Sequence, residues 1–294
     1  MRGSLTRRNF SRCVSLGAAA AALGSGCALL PGRRLKVYVF ADMEGICGVT
    51  CSEQTLPSGP RYREGCERMA EDINACVAGC FDAGATEVVV RDGHGAGKNV
   101  DPARIDPRVR LVQGPTPGVR FAGLDGARAL ILLGYHAKAL TPNALLAHTY
   151  SSATIQGMWL NGREVGETGV DAAIAAEHGV PVVMVSGCDQ VAAEACEWIP
   201  GVVTCVVKAS KGPQEAVCLP LGEARSLLRA KAREAVAKRA SIPRVAMRRE
   251  ATLRWDYLPK GSLRTYDPAF RPVAEPRRVI LTGAPVERLF FEKQ

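Results

Sequence analysis

The stretch Leu35-Lys-Val-Tyr-Val-Phe-Ala-Asp-Met-Glu-Gly45 joins a short apolar run to a pair of carboxylates. Residues 35–41 are rich in β-branched and aromatic side chains, which is typical of a buried strand. Alternate residues of an extended chain point to the same side, so Asp42 and Glu44 are expected to face one way. The stretch therefore predicts a strand that delivers two carboxylates to one place. Alone, such a pair is more often an ordinary polar turn than a binding site.

Similar apolar runs recur along the chain, with helical patterns between them. Strands are predicted at 86–91, 109–112, 129–134, 182–185 and 202–207, and helices at 61–83, 167–178, 190–198 and 222–240. This alternation, in a chain that is 47% hydrophobic but only 5% aromatic, predicts an α/β fold with a mostly parallel sheet flanked by helices. The turn Asn161-Gly162 between the short runs 155–160 and 164–165 predicts a hairpin.

Three regions are predicted. Residues 1–34 are interpreted as an export signal and linker, and residues 35–243 as the α/β core. Residues 244–294 switch to short strands, at 245–253 and 279–282, with Pro and Gly between them. They are interpreted as a small C-terminal α+β appendage.

The N-terminal region has the pattern of a targeting sequence. Residues 6–12, Thr-Arg-Arg-Asn-Phe-Ser-Arg, have the twin-arginine form, and an Ala-rich apolar stretch follows at 14–23. That stretch is shorter than the ~20 apolar residues that a membrane-spanning helix needs. We therefore expect export by the twin-arginine route to the periplasm or to the outer face of a membrane. Residues 23–27 resemble a lipoprotein cleavage box, although Gly24 replaces the usual Leu, so Cys27 is the candidate for a lipid anchor.

The charge of the chain does not indicate a nucleic-acid partner. The formal net charge is +9, but four arginines and no acidic residue lie within residues 1–26. Much of the remaining excess lies within 225–254, where few aromatic residues accompany it, and this is typical of a solvated helix face.

The chain has eleven cysteines, which in an exported protein would suggest disulfides. Cys66, Cys76 and Cys80, however, fall on an apolar helical stripe, which predicts small buried thiols. Twin-arginine export of an already folded protein favours free thiols as well. Cys47 and Cys51 are the one pair close enough in the sequence to be a candidate disulfide.

Further metal-type ligands follow other predicted strands. His94 lies in Asp92-Gly-His-Gly95 after the second strand, His136 lies in Gly134-Tyr-His-Ala137 after the fourth, and Glu167 begins a helix. In an open α/β sheet the carboxyl ends of the strands line one crevice where ligands bind. Each histidine alone is more often structural than a ligand. Their joint placement with Asp42 and Glu44 predicts a metal site.

The ligand count fits two metals. If Asp42 bridges, one metal has Asp42, Glu44 and His94, and the other has Asp42, His136 and Glu167. Each metal then has three protein ligands and an open position, as catalytic zinc requires. Nitrogen and oxygen ligands suit zinc, and manganese or cobalt would fit too. Of the other histidines, His148 lies beside a strand-end loop, as His94 and His136 do, whereas His178 is predicted in the last turn of a helix, where a cation suits the helix dipole.

These motifs resemble those of the zinc D-aminopeptidases of the dipeptide-transport operon. The resemblance covers about 35–240 and rests on Asp42-Met-Glu-Gly45, Asp92-x-His94, Leu133-Gly-Tyr-His-Ala137, Thr141-Pro…His148 and Val165-Gly-Glu167. It implies two zincs held by Asp42, Glu44, His94, His136 and Glu167 with Asp42 as the bridge, His148 as the catalytic residue, and a ring-shaped homo-oligomer. The leader, Cys47 and Cys51, and the tail after about 244 depart from the family pattern.

Together these observations predict a two-zinc aminopeptidase that hydrolyses N-terminal peptide bonds of short peptides, with a D-amino-acid preference that rests on the resemblance alone. Water would be activated by the metals. His148 would move a proton, stabilise the oxyanion or attack as a nucleophile. One rival is another metal-dependent amidohydrolase acting on cell-wall fragments or small amides. A second rival is a non-enzymatic periplasmic binding protein with a structural metal, which would require closed coordination.

Overall fold

The computed structural model describes residues 34–292. Its strands are β1 Lys36–Ala41, β2 Glu87–Asp92, β3 Val109–Val112, β4 Ala129–Tyr135, β5 Ile155–Leu160, β6 Arg163–Val165, β7 Val182–Cys188, β8 Val203–Gly212, β9 Glu215–Cys218, β10 Ala251–Tyr257 and β11 Arg277–Ala284. Its α-helices are α1 Tyr62–Asp82, α2 Glu167–Glu177, α3 Asp189–Trp198, α4 Leu221–Lys238 and α5 Val286–Phe291. The predicted export signal, with Arg7, Arg8 and Cys27, lies outside the described residues.

The main sheet has seven strands in the order β3-β2-β1-β4-β7-β8-β9. All neighbouring pairs are parallel except β8 and β9. The chain fills the sheet outward from β1 through β2 to β3, and then returns to place β4 on the other side of β1. The strand order therefore reverses between β1 and β4, and such a reversal opens a crevice at the carboxyl ends of the strands.

Helices cover both faces of this sheet. On one face α1 and α4 pack against alternate residues of β1, including Val37 and Val39. On the other face α2, α3 and α5 share a core with Tyr38 and Phe40. The apolar face of α1, which includes Cys76 and Cys80, is buried as the spacing predicts. The helix ends just before Gly84, where φ is +86°. The predicted fold class, a mostly parallel sheet flanked by helices, is confirmed.

The C-terminal strands belong to a second, antiparallel sheet of order β11-β10-β5-β6. In it β10 pairs directly with β5 of the predicted hairpin. Residues after 244 thus share a sheet with a hairpin from within 35–243, and the division into core and appendage stays a prediction. The strand predicted at 245–253 is wrong at its start, because β10 begins only at Ala251, and β9 and α5 are elements that the sequence pattern does not predict.

The cysteines between 34 and 292 are all free thiols, Cys47 and Cys51 included. Among the helices that the structure describes, none is long and apolar enough to cross a membrane.

Candidate metal centre

Five of the six predicted site residues follow or begin elements that meet at the reversal of strand order. Asp42 and Glu44 follow β1, His94 follows β2, His136 follows β4, and Glu167 is the first residue of α2. The sixth, His148, lies in the loop between β4 and β5. The structure brings all six side chains to one cleft region.

Glycines let the loops after β1 and β4 approach closely. The main-chain N–H of Gly45 donates to the carbonyl of Gly134 at 2.7 Å. A Cβ at Gly45 would lie 2.0 Å from the Tyr135 carbonyl oxygen, and one at Gly134 would lie 2.4 Å from that of Asp42. Gly134 also has φ +73°, which side chains with a Cβ rarely adopt. The glycines of the two motifs therefore bring Asp42 and His136 together.

Each histidine has one ring nitrogen fixed by a main-chain carbonyl. His94 Nε2 lies 2.8 Å from the Thr55 oxygen, His136 Nδ1 lies 3.0 Å from the Ala137 oxygen, and His148 Nδ1 lies 2.8 Å from the Leu146 oxygen. A carbonyl can only accept, so these nitrogens carry the protons. In a neutral ring the other nitrogen then offers a lone pair to the site, which is the usual way of presenting a histidine to a metal.

The lone-pair nitrogens face carboxylates. His94 Nδ1 lies 3.0 Å from Asp42 Oδ1 and 3.1 Å from Glu44 Oε2. His136 Nε2 lies 3.5 Å from Asp42 Oδ2 and 3.2 Å from Glu167 Oε1. The two oxygens of Asp42 thus face two different histidines. Lone pairs at such distances repel unless a proton or a cation lies between them.

The carboxylates favour positive charge at this place. Burial opposes the charged form of His94, yet Glu44 and Asp42 raise its pKa well above the usual value. Burial opposes the charge of His136 too, and Glu167 and Asp42 nonetheless raise its pKa to about 10. Burial would raise the pKa of Asp42, but the bond with His94 lowers it. Groups that stabilise protons on two histidines will also stabilise a divalent cation there.

The donor set fits a metal. Glu44 Oε2 and His136 Nε2 are buried and have no hydrogen-bond partner among residues 34–292. Ligand atoms of Asp42, Glu44 and His136 lie within 4.8 Å of one another, and so do those of His136, His148 and Glu167. Buried polar atoms without partners are costly, so atoms left unpaired in such a cluster are explained by a metal ligand role.

His148 differs from the other two histidines. Its ring stacks on that of His136, with centroids 3.9 Å apart and an angle of 9° between the planes. Its Nε2 is 3.9 Å from Glu167 Oε1, farther than the carboxylate contacts of His94 and His136. Burial and the neighbouring His136 lower the pKa of His148. His148 therefore lies within coordination reach of the same position as His136 and Glu167.

Comparison with known proteins identifies the family. A model of the family Peptidase_M55, described as D-aminopeptidase, matches residues 35–263. The chain belongs to this D-aminopeptidase family. The D-aminopeptidase of Bacillus subtilis (strain 168) is 38% identical over 197 residues, which are 66% of this chain and 71% of that protein. A solved structure described as the Zn-dependent D-aminopeptidase DppA from Bacillus subtilis, a self-compartmentalizing protease, has a TM-score of 0.77 at 27% identity, over 88% of this chain and 97% of that one.

The family resemblance read from the sequence is thus confirmed, and so is the prediction of a metal-dependent aminopeptidase.

In this D-aminopeptidase family member, several supporting residues escaped the sequence reading. Glu167 Oε1 accepts a bond of 2.7 Å from the main-chain N–H of Tyr150. Arg120 holds Asp171 through two bonds of 2.8 Å, stacks 4.4 Å over the Phe40 ring, and reaches within 3.9 Å of Glu167 Oε2. This network fixes the surroundings of Glu167. No local pattern marks Arg120, because its partners lie far away in the sequence.

The loop that carries His94 is held by Asp92, the first residue of the Asp92-x-His94 motif. Asp92 accepts bonds from the main-chain N–H groups of Asn99 (2.6 Å) and Val100 (3.1 Å). The Asn99 amide in turn donates to the His94 carbonyl at 2.7 Å. Asp92 therefore fixes the loop that carries His94.

A buried lysine holds the loop after β1. Lys208, on β8, donates to the carbonyls of Glu44 (2.6 Å), Ile46 (2.8 Å) and Val49 (2.5 Å). An ammonium has three donors, so this arrangement, here named the Lys208 cage, satisfies it completely. No local sequence pattern indicates this arrangement, because a lysine near a strand end usually faces solvent.

Lys208→Met is expected to lower the free energy of unfolding by about 3 kcal/mol or more, because three buried carbonyls lose their donor and each unpaired one costs about 1–3 kcal/mol. Metal affinity should fall as well, since Glu44 lies in the released loop. Urea denaturation with and without metal would measure both effects. Lys211→Met, at an exposed lysine of the same strand, is the matched control. Equal stability of the two variants would contradict the role of the cage.

Metal binding to the metal-free protein is expected to release about two protons per chain near pH 8. The pKa of His136, about 10, and the raised pKa of His94 keep both rings protonated at this pH, and each must lose its proton to bind a metal. Apparent affinity should therefore rise with pH up to about 10. Titration calorimetry in buffers of different ionisation enthalpy would count the protons. A binding heat that does not change with buffer would contradict this expectation.

Proposed function

We propose that the chain is a two-zinc aminopeptidase that removes the N-terminal residue from short peptides containing D-amino acids. The observation that carries the proposal is the pair of oxygens of Asp42, one facing His94 at 3.0 Å and the other facing His136 at 3.5 Å. This arrangement suits a bridging carboxylate with Glu44 and His94 on one side and His136 and Glu167 on the other. Zinc is supported by the ligand types and by the Zn-dependent relative.

The metals, when bound, would supply a Lewis acid that activates water and polarises the scissile carbonyl. The residues of the cleft would bind and orient the substrate. The cleft in front of the carboxylates has a volume of about 390 Å³, enough for a short peptide end. Asp42, Glu44 and Glu167 would have their negative charge offset by the two metals, so an open metal position would take the neutral form of the substrate's free α-amine, which favours an exopeptidase.

His148 is proposed as the catalytic residue. Its Nδ1 is held by the Leu146 carbonyl, so Nε2 offers a lone pair towards the cleft. The lowered pKa keeps the ring neutral at pH 7 and lets it take up a proton during the reaction. From the sequence, proton transfer, oxyanion stabilisation and nucleophilic attack are all open to His148. Its burial and its tautomer, with the proton on Nδ1, favour proton transfer.

The test is a panel of D- and L-alanine amides, D-Ala-D-Ala, and N-acetyl-D-alanine amide, assayed with purified protein. We expect hydrolysis of the D-substrates with a free amine, loss of activity on chelation, and recovery on adding zinc. Preference for the N-acetyl amide would instead indicate another kind of amidohydrolase. Absence of chelator-sensitive hydrolysis on the whole panel would overturn the proposal.

The proposal includes a homo-oligomer, because the solved relative is described as self-compartmentalizing. Light scattering on the purified mature protein should give a mass several times that of one chain, and a monomer would contradict it.

Export by the twin-arginine route is proposed on residues 1–34 alone. Replacing Arg7 and Arg8 by lysine should leave the protein in the cytoplasm, and Cys27→Ala should release it from the membrane fraction if Cys27 carries a lipid. Unchanged fractionation of both variants would contradict the two proposals.

A further inference from the structure

A second cavity, of about 610 Å³, adjoins the cleft of the metal centre. We name it the side cavity. Its walls combine three aromatic rings and three cationic side chains: Phe40, Phe290, Phe291, Arg91, Lys98 and Arg120. No carboxylate is among the described residues that line it.

The side cavity and the cleft share the wall formed by Gly93, Gly95 and Arg120. The two glycines flank His94. A Cβ at Gly93 would lie 2.0 Å from the Phe40 ring, so only glycine lets that ring keep its place. A Cβ at Gly95 would meet no atom within 4 Å, so the boundary between the two spaces is open there.

The cations of the side cavity are not equivalent. Arg120 is neutralised by its two bonds with Asp171. Arg91 is only 7% exposed, its Nε has no hydrogen-bond partner, and it forms no ion pair with any residue from 34 to 292. Its one hydrogen bond, to the Val112 carbonyl, is 3.5 Å long. The exposed Lys98 likewise has no ion pair within that range. A buried cation without a counter-ion is costly, which indicates that an anion binds beside it.

The distance from the metal centre limits the size of the ligand. Arg91 and His94 are three residues apart, so their Cα atoms are separated by at most about 11 Å. An extended tripeptide spans about the same length. An anion at Arg91 can therefore belong to the same small molecule whose other end lies at the metal ligands.

We propose that the side cavity binds the C-terminal end of a di- or tripeptide substrate, with Arg91 and Lys98 as the counter-ions of its carboxylate and the phenylalanine rings against its last side chain. This inference rests on the proposed peptidase function. It makes the free carboxylate a recognition element and sets an upper limit on the length of a good substrate. Phe290 and Phe291 lie beyond residues 35–263, the part that the family model matches. One wall of the side cavity is therefore formed by residues outside that match.

The test compares D-Ala-D-Ala with its C-terminal amide, which differ only in the carboxylate. For the unmodified protein we expect kcat/KM to be at least about tenfold higher for the acid, mostly through KM, since a charge-assisted hydrogen bond contributes about that much. In Lys98→Gln the acid-to-amide ratio should fall towards one. Arg91→Met should lower it further, and Arg91→Lys should restore part of it. Lys238→Gln, an exposed lysine of α4 on the other face of the sheet, should keep the ratio of the unmodified protein.

Arg91 is buried, so its variants need a check of folding, whereas Lys98 is exposed and carries the test even if they unfold. Hydrolysis of acid and amide with the same kcat/KM would overturn the inference and leave the peptidase proposal intact. A second result would also overturn the inference. If inorganic phosphate inhibits hydrolysis, and Lys98→Gln abolishes this inhibition without changing the acid-to-amide ratio, the side cavity binds a free anion and not the substrate carboxylate. If neither peptide is hydrolysed in the presence of zinc, the proposed function fails and this inference fails with it.

Discussion

Replacement of His148 by alanine is expected to reduce turnover by about 10²–10⁴ while the bound metal stays at the level of the unmodified protein. The size follows from the loss of a positioned general acid–base group. Retention of metal follows if His136 and Glu167 already complete their metal without His148. Metal per chain by mass spectrometry and kcat on D-alanine amide should be measured on the same preparation.

His178→Ala is the matched control, because His178 is half-exposed, bonds to Glu287 at 2.6 Å, and has no part in the site. It should keep both metal and turnover. Loss of one metal in His148→Ala would make His148 a ligand, which its closeness to His136 and Glu167 allows. Full turnover with full metal would remove it from the mechanism.

Asp42→Asn is expected to abolish detectable activity and to lower metal content from two per chain towards zero. The amide keeps the shape of the side chain but loses the charge and one of the two oxygens that face His94 and His136. Glu44→Gln and Glu167→Gln each remove a carboxylate from one side only, so each should lose one metal. Dialysis against limiting zinc, followed by metal analysis, would separate these outcomes.

Asp125→Asn, at an exposed carboxylate, is the control for loss of negative charge alone and should keep both metals. An Asp42→Asn protein that holds one metal firmly would show that Asp42 serves a single metal. A Glu167→Gln protein with two metals would show that Glu167 positions other groups instead of binding.

The sequence predicted the part of the molecule that local patterns determine. Buried parallel strands are short continuous apolar runs, so β1 and β4 were found within a residue of their observed ends. Polar residues that directly follow such strands must come to one edge of the sheet, and the structure brings Asp42, His94 and His136 together there.

Contacts between distant parts of the chain could not be predicted in this way. Lys208 bonds to carbonyls about 160 residues before it, and Arg120 pairs with Asp171 51 residues later. The strand β9 is too short and too exposed to leave a clear apolar pattern. The pairing of β10 with β5 and β11 depends on the whole second sheet, and the pattern of one sequence does not specify it.

The Lys208 cage also sets the time at which the metal centre can be completed during synthesis. Lys208 follows Glu44 by 164 residues in the chain. At the usual elongation rates of about 5–20 residues per second, the ribosome makes the lysine roughly 8–33 s after the carboxylate that it helps to position. During that interval the loop after β1 lacks the three hydrogen bonds that its carbonyls accept from the Lys208 side chain. Loading of the proposed zinc site is therefore expected to be a late event, after β8 has joined the sheet, and a protein exported in its folded state would acquire its metals before it leaves the cytoplasm.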